Sequence, residues 1–145
     1  MFFGTYEHSL DSKGRLVIPA KFRSQIGNLL YVLKGFDGAL SVYKEAEFTK
    51  MMEEVSRLAF NKKDSRAYIR AQLSSVCELE VDKQGRVQLP VQLLAKHSIG
   101  KDVVIIGVID HMEIWDKETY HQYEEQSNQD FEEIAEKITS SEDER

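Results

Sequence analysis

The sequence has few of the features that stabilise secreted proteins or anchor membrane proteins. It contains a single cysteine, Cys77, which cannot form an intrachain disulfide and which fits a reducing cytoplasm. The first ten residues, MFFGTYEHSL, have neither a basic segment nor an apolar one, so we expect no signal peptide. The longest apolar run, Val103 to Ile109, has the length of a strand rather than of a membrane span. We therefore expect a cytoplasmic protein with no membrane contact.

The chain also lacks the overall positive charge that is typical of nucleic-acid-binding proteins, since its formal net charge is −6. The charge is unevenly distributed, however. Residues 1–76 contain 12 Lys and Arg against 8 Asp and Glu, whereas residues 77–145 contain 7 against 17. From Asp116 onward the net charge is −8. This asymmetry predicts a basic working face and an acidic tail, so the acidity of the whole chain does not exclude a nucleic-acid partner.

What the sequence does contain is an internal repeat. The segment Leu10–Phe22, LDSKGRLVIPAKF, recurs 71 positions later as Val81–Leu93, VDKQGRVQLPVQL. The residues shared by both copies are Asp11 and Asp82, Gly14 and Gly85, Arg15 and Arg86, and Pro19 and Pro90. Two copies of one unit in a chain of 145 residues predict a single pseudo-two-fold domain rather than two independent domains.

Each copy predicts a short extended segment, a turn, a returning strand and a short helix. The Asp11–Gly14 turn lies between extended segments, and we expect these two segments to pair as a hairpin with a basic tip. Pro19, with its fixed φ and missing amide donor, suits the start of a helix over Ala20–Ile26. The second copy predicts the equivalent helix over Val91–Lys96.

The rest of the chain joins and closes the two copies. Apolar residues at helical spacing predict a helix from Lys44 to Leu58, a second helix capped by Asn61 or Asp64 and ending at Leu73, and a last helix from Asp116 to about Ile138. The resulting fold class is α+β, a single domain over 1–145. Its predicted parts are repeats of about 5–54 and about 76–125, bridging helices of about 55–73, and an acidic C-terminal tail of about 126–145.

The hairpin tips are the strongest candidate site. Lys13 with Arg15, and Lys83 with Arg86, place two cations at each tip. Arginine offers a planar fork for a guanine edge or a phosphate, and lysine offers a point charge for phosphate. The alternative is that Asp–Arg pairing only caps the turn, and the two interpretations are compatible.

An enzymatic site has one candidate only. Glu78, Glu80 and Asp82 alternate along a predicted strand, where three carboxylates on one face could hold Mg²⁺ for phosphodiester chemistry. A solvated strand face explains the same pattern and is favoured, because the first copy has a serine, Ser9, within the equivalent set. The four histidines have no metal-binding or catalytic-triad spacing. We predict no catalytic residue, metal, cofactor or small-molecule substrate.

The opening MFFGTYEHSLDSKGRLVIPAKFR, the second VDKQGRVQLP and the strand Glu113–Trp115 resemble the MraZ family of bacterial transcriptional regulators. That family is related to the AbrB-type swapped-hairpin DNA-binding proteins, and the resemblance implies that one chain supplies both copies. It further implies a nucleoid-associated repressor that binds short promoter repeats in double-stranded DNA upstream of its own division and cell-wall operon. It also implies a ring-like homo-oligomer.

Matched residue by residue, the resemblance assigns DNA binding to Lys13, Arg15, Lys83 and Arg86, and loop shaping to Asp11, Gly14, Asp82 and Gly85. The second loop departs from the first, because Gln84 occupies the position equivalent to Lys13 and its lysine lies one residue earlier. A rival interpretation is an antitoxin-like module that binds a protein through the acidic tail. A second rival is the Mg²⁺-dependent nuclease. For the oligomer, we expect Phe2, Phe3 and the amphipathic helices to form subunit contacts.

Overall fold

The computed structural model describes residues 1–143 and contains eight strands and six helices in this range. In chain order these are β1 Thr5–Ser9, β2 Arg15–Val17, α1 Ala20–Arg23, β3 Leu29–Lys34, β4 Leu40–Lys44, α2 Glu45–Ser56, α3 Lys63–Ser74, β5 Cys77–Glu80, β6 Arg86–Gln88, α4 Val91–Lys96, β7 Asp102–Val108, β8 His111–Asp116, α5 Lys117–Gln129 and α6 Phe131–Asp143. The predicted α+β class is confirmed.

The main sheet interleaves the two copies. Its six antiparallel strands run in the order β1-β7-β8-β4-β3-β5. The first copy contributes β1, β3 and β4, and the second contributes β5, β7 and β8, so strands of both copies lie side by side. At the centre, β4 pairs with β8, and Ser41 lies opposite Glu113, its equivalent in the repeat after the one-residue slip. A pseudo-two-fold axis therefore passes between β4 and β8.

A separate two-stranded ribbon is formed by β2 and β6, with Leu16 opposite Val87. These two residues are equivalent in the repeat, so the same pseudo-axis passes through the ribbon. The prediction that the two extended segments beside each turn pair with each other is wrong. β1 pairs with β7, and β2 pairs with β6 of the other copy, because the swap buries Leu16 and Val87 between the copies.

The core lies between the ribbon, the short helices and the main sheet. Ribbon residues Leu16 and Val87 are 0% and 2% exposed, and Phe22 of α1 is 1% exposed and packs edge-on against Tyr6 of β1. Complete burial of side chains of this size contributes roughly 1.5–3 kcal/mol each. The ribbon is therefore fixed to the sheet by its inner face, which leaves its outer face free.

Several predicted boundaries shift. α1 ends at Arg23 rather than at Ile26, and α3 begins at Lys63 after Lys62, without a side-chain cap from Asn61 or Asp64. Asp116 does cap the last helical segment by accepting from the Thr119 amide.

The C-terminal segment is not one helix. It divides at Asp130 into α5 and α6. Residues 144 and 145 of the predicted acidic tail lie outside the described residues. None of the helices within residues 1–143 combines the length and the apolar character needed to cross a membrane.

Candidate nucleic-acid interface

The first candidate loop, residues 11–15, is organised by the carboxylate of Asp11. Oδ1 of Asp11 accepts from the backbone amides of Lys13 at 2.9 Å and Arg15 at 2.8 Å. Oδ2 accepts from Nε of the Arg15 side chain at 2.5 Å. The turn is closed by a hydrogen bond from the Gly14 amide to the Asp11 carbonyl at 3.0 Å. One side chain thus fixes both the path of the loop and the direction of its arginine.

The second loop, residues 82–86, repeats this network. Oδ1 of Asp82 accepts from the amides of Gln84 and Arg86, each at 2.9 Å, and Oδ2 accepts from Nε of Arg86 at 2.9 Å. The Gly85 amide donates to the Asp82 carbonyl at 3.0 Å. The shared Asp-x-x-Gly-Arg pattern therefore encodes one loop geometry twice.

Both glycines are required by the backbone. Gly14 has a φ of +77° and Gly85 a φ of +75°, in the left-handed region where a Cβ is unfavourable. Each glycine also connects the copies, since the Leu89 amide donates to the Gly14 carbonyl and the Ile18 amide donates to the Gly85 carbonyl, both at 2.9 Å. The loops and the ribbon are therefore one hydrogen-bonded unit.

The electrostatics of both loops favour charged carboxylates. Hydrogen bonding from the Arg15 backbone amide, supplemented by its side chain and by the Lys13 amide, lowers the pKa of Asp11 to about 2. The pKa of Asp82 is lowered in the same way, first by the Arg86 amide. The Asp–Arg pairing that the sequence suggested is thus present in both copies, and the lowered pKa values favour the ionised form of both carboxylates.

The ribbon register brings the two predicted arginines together. Arg15 lies opposite Gln88 and Arg86 lies opposite Val17, while Leu16 and Val87 are buried beneath them. Since side chains alternate between the two faces of a strand, the two arginines share the outer face. Each arginine donates from Nε to its aspartate, and within residues 1–143 the terminal guanidinium nitrogens have no further ion-pair or hydrogen-bond partner and can contact a ligand.

The predicted lysines lie at the loop tips. Lys13 and Lys83 are both exposed, and neither forms an ion pair within residues 1–143. They occupy different positions in their loops, as the sequence indicates. Each tip consequently presents one lysine beside one arginine, in an arrangement that is only approximately two-fold.

Two further side chains hold the loops and were not predicted. Nε2 of Gln88 donates to the Lys13 carbonyl at 3.1 Å, and Nη1 of Arg23 approaches the Gln84 carbonyl at 3.5 Å. In the repeat, the residue equivalent to Gln88 is Val17 and the residue equivalent to Arg23 is Leu94, so neither side chain is shared by the two copies. Their role is evident only from the contact distances in the folded structure.

A groove of about 500 Å³ beside the ribbon is lined by both arginines and by the acidic residues Glu78, Glu80 and Asp82. Both carboxylate oxygens of Asp82 already accept hydrogen bonds, from the loop amides and from the Arg86 side chain. Across residues 1–143, no group of three or more His, Cys, Asp or Glu side chains is placed to hold a metal ion. The predicted alternative of a magnesium site therefore has no geometric support in this part of the chain.

Comparisons with known proteins identify similar chains. The MraZ family model, whose description is "MraZ protein, putative antitoxin-like", matches residues 1–71 and 73–141. The protein named Transcriptional regulator MraZ from Caldanaerobacter subterraneus subsp. tengcongensis is 45% identical over 138 residues, which cover 95% of this chain and 96% of the relative. Its namesakes from Natranaerobius thermophilus and Desulforamulus reducens are 44% and 41% identical over 95% of this chain, covering 96% and 97% of those relatives.

Proposed function

Because the chain belongs to the MraZ family, we propose that it is a transcriptional regulator that binds double-stranded DNA in a sequence-specific manner. The observation that carries the proposal is the outer face of the ribbon, where Arg15 and Arg86 are held by equivalent hydrogen bonds to Asp11 and Asp82. A two-stranded ribbon has a width that the major groove of B-DNA accepts. Arginines held with free terminal nitrogens suit bidentate contacts to guanine.

The other predicted loop residues have supporting roles. Lys13 and Lys83 contact phosphates as exposed point charges, which positions the ribbon without reading sequence. Gly14 and Gly85 provide the left-handed backbone of the turns. Acidic residues beside the arginines disfavour a phosphate in the groove itself, which supports base contacts rather than backbone contacts for the arginines.

We further propose that the chain represses its own division and cell-wall operon by binding short repeats upstream of it, and therefore acts at the nucleoid in the cytoplasm. It acts as one domain made of two repeats, because strands of both copies alternate in the main sheet. The DNA-binding face combines loops from both copies, so neither copy can act alone. No catalytic step, cofactor or small-molecule substrate is part of this proposal.

The active form is a ring-like homo-oligomer. Phe3 is 56% exposed, as a subunit contact requires, but Phe2 is 2% exposed and belongs to the core of its own chain, so only Phe3 remains a candidate contact. Two larger apolar surfaces support association. One is a groove of about 280 Å³ between α2 and α3, which includes Phe60, and the other is the exposed face of α6 that includes Phe131 and Ile134.

We propose that these two surfaces, which differ in chemistry, contact each other between neighbouring subunits, and such a contact is heterologous. The guanidinium of Arg70 lies 5.6 Å from the Phe60 ring at the groove, whereas α6 has Glu132 and Glu133 in its first turn. A contact between unlike surfaces forms a ring when the rotation closes. Many loops on one rim would then bind repeated sites with avidity of roughly 10²–10⁴ over a single contact.

Binding to DNA from upstream of its own gene tests the function. We expect tight binding to that DNA, with affinity that rises steeply from one repeat to three, and weak binding to shuffled DNA of the same length. Equal affinity for the native and shuffled sequences would refute sequence specificity. Light scattering tests the ring: we expect more than two subunits, and Ile134→Glu should lower the mass, whereas Phe36→Glu on the β3–β4 turn should not.

An antitoxin-like protein-binding module is the second candidate, because the MraZ family model is described as antitoxin-like and the chain carries an acidic amphipathic helix, α6, with exposed apolar residues. A protein partner that binds α6, together with the absence of any DNA binding, would favour this function instead.

A further inference from the structure

The two DNA-binding loops have the same internal bonds but are held from outside by different side chains. The carbonyl at the third position of the first loop, that of Lys13, accepts from Gln88. The equivalent carbonyl in the second loop, that of Gln84, is approached by Arg23. Both contacts cross from one copy of the repeat to the other, yet Gln88 lies on a strand and Arg23 ends a helix.

Arg23 joins its own copy of the repeat to the second loop. Its Nε donates to the Ile18 carbonyl at 3.0 Å, and its Nη1 lies 3.5 Å from the Gln84 carbonyl. A Cβ built on Gly85 would lie only 2.4 Å from Cδ of Arg23. The arginine stem is therefore packed along the loop, and its guanidinium links the end of β2 to the loop tip.

The first loop has no arginine at the equivalent position, and Gln88 of the ribbon contacts its carbonyl instead. The residue equivalent to Arg23 is Leu94, which has no polar atom in its side chain, and its Cδ1 lies 3.9 Å from a Cβ built on Gly14. Beside Leu94 is an open apolar groove of about 630 Å³, lined also by Val91 and Ala95. Leu94 is therefore next to a space that no guanidinium spans.

We propose that Arg23 is a positioning residue that fixes the second loop, and with it Arg86, in the conformation that reads DNA, whereas the first loop is held from outside by Gln88 and borders an open groove. The proposal rests on the proposed DNA-binding function. A loop that is ordered before binding loses less conformational freedom on contact with DNA. The two loops are then held by different side chains, and loss of Arg23 should affect sequence recognition by the second loop only.

Variants at Arg23 test this role. Arg23→Leu introduces the residue that the other copy has at this position. Arg23→Lys keeps the charge and the stem, but a single ammonium group cannot occupy the positions of both Nε and Nη1. Lys21→Leu is the matched control, because it removes a charge from the same helix at a side chain that lies over the Phe3 ring instead of over a loop.

The first measurement needs no DNA. In Arg23→Leu, we expect amide hydrogen exchange over residues 82–86 to accelerate by about tenfold, with residues 11–15 unchanged, because only the second loop loses a contact. Lys21→Leu should leave both loops unchanged, and Arg23→Lys should be intermediate. Should Arg23→Leu fail to fold, the comparison is made on Arg23→Lys. Unchanged exchange over 82–86 would overturn the proposal.

The second measurement separates positioning from direct phosphate contact. Positioning predicts that Arg23→Leu weakens binding to the upstream DNA by about tenfold, leaves nonspecific DNA binding and the salt slope unchanged, and loses discrimination at the base pairs that Arg86→Ala also affects. A uniform loss across all sequences with a shallower salt slope would mean that Arg23 contacts phosphate, and would overturn the proposal. If the wild-type protein binds no DNA selectively, the proposed function fails, and the exchange data still decide whether Arg23 fixes the loop.

Discussion

Replacing Arg15 by alanine tests whether the first loop recognises bases, as proposed. The side chain donates a hydrogen bond from Nε to Asp11, and it lies on the outer face of the ribbon with its terminal nitrogens. A guanidinium that makes a bidentate contact to guanine contributes about 1–3 kcal/mol of specific binding, so Arg15→Ala should raise the dissociation constant for the upstream DNA roughly 5- to 150-fold.

The fold should survive this substitution. The backbone amides of Lys13 and Arg15 still donate to Asp11 after the side chain is removed, and Gly14 still closes the turn. We therefore expect an unchanged midpoint of chemical unfolding. Fluorescence anisotropy with labelled upstream DNA and with shuffled DNA, each at several salt concentrations, measures the effect.

Lys13→Ala is the matched variant in the same loop. It should weaken binding to all sequences alike and reduce the salt slope by about one, because a phosphate contact carries no sequence information. The base-reading assignment is refuted if Arg15→Ala binds the upstream DNA with wild-type affinity, or if it loses affinity for native and shuffled DNA equally.

Three further outcomes are expected. Gly14→Ala should destabilise the protein by roughly 1–2 kcal/mol in chemical unfolding, since φ is +77° and the new Cβ would lie 3.0 Å from the Leu89 carbonyl; a neutral effect would contradict the left-handed turn. The stability that Asp11 contributes should be fully present above its ordinary pKa of 3.8 and be lost as the pH falls through about 2. Chemical unfolding of Asp11→Asn at successive pH values should lack this part of the pH dependence. Arg86→Ala should also weaken specific binding, and an unchanged affinity would mean that the first loop reads DNA alone.

Most of the candidate site could be predicted from the sequence because its geometry is local. Asp11 and Arg15 are four residues apart, and the bonds that join them lie within one turn, as do those of Asp82 and Arg86. The repeat of these residues therefore identifies both loops without any knowledge of the fold. The helix α4 is likewise set by a local device, the proline before it, and it has the predicted bounds.

The pairing of strands could not be predicted in the same way. A hairpin within each copy satisfies the local pattern as well as the observed swap does. What decides between them is the burial of Leu16 and Val87 against the main sheet, to which both copies contribute. The same limit applies to Phe2, which the sequence places near a free end but which the structure pairs with Ile109 and buries.

The two Asp-x-x-Gly-Arg loops and their cations follow from the sequence alone because side chains a few residues apart form them, and the 71-residue repeat of the same pattern indicates the pseudo-two-fold arrangement. The packed fold, in contrast, establishes that Arg15 and Arg86 share one face and that Arg23 and Gln88 each contact the loop of the other copy. The atoms that meet there are 61 and 75 residues apart in the chain. Contacts at that separation form only after the copies have packed together, so no local pattern of residues records them.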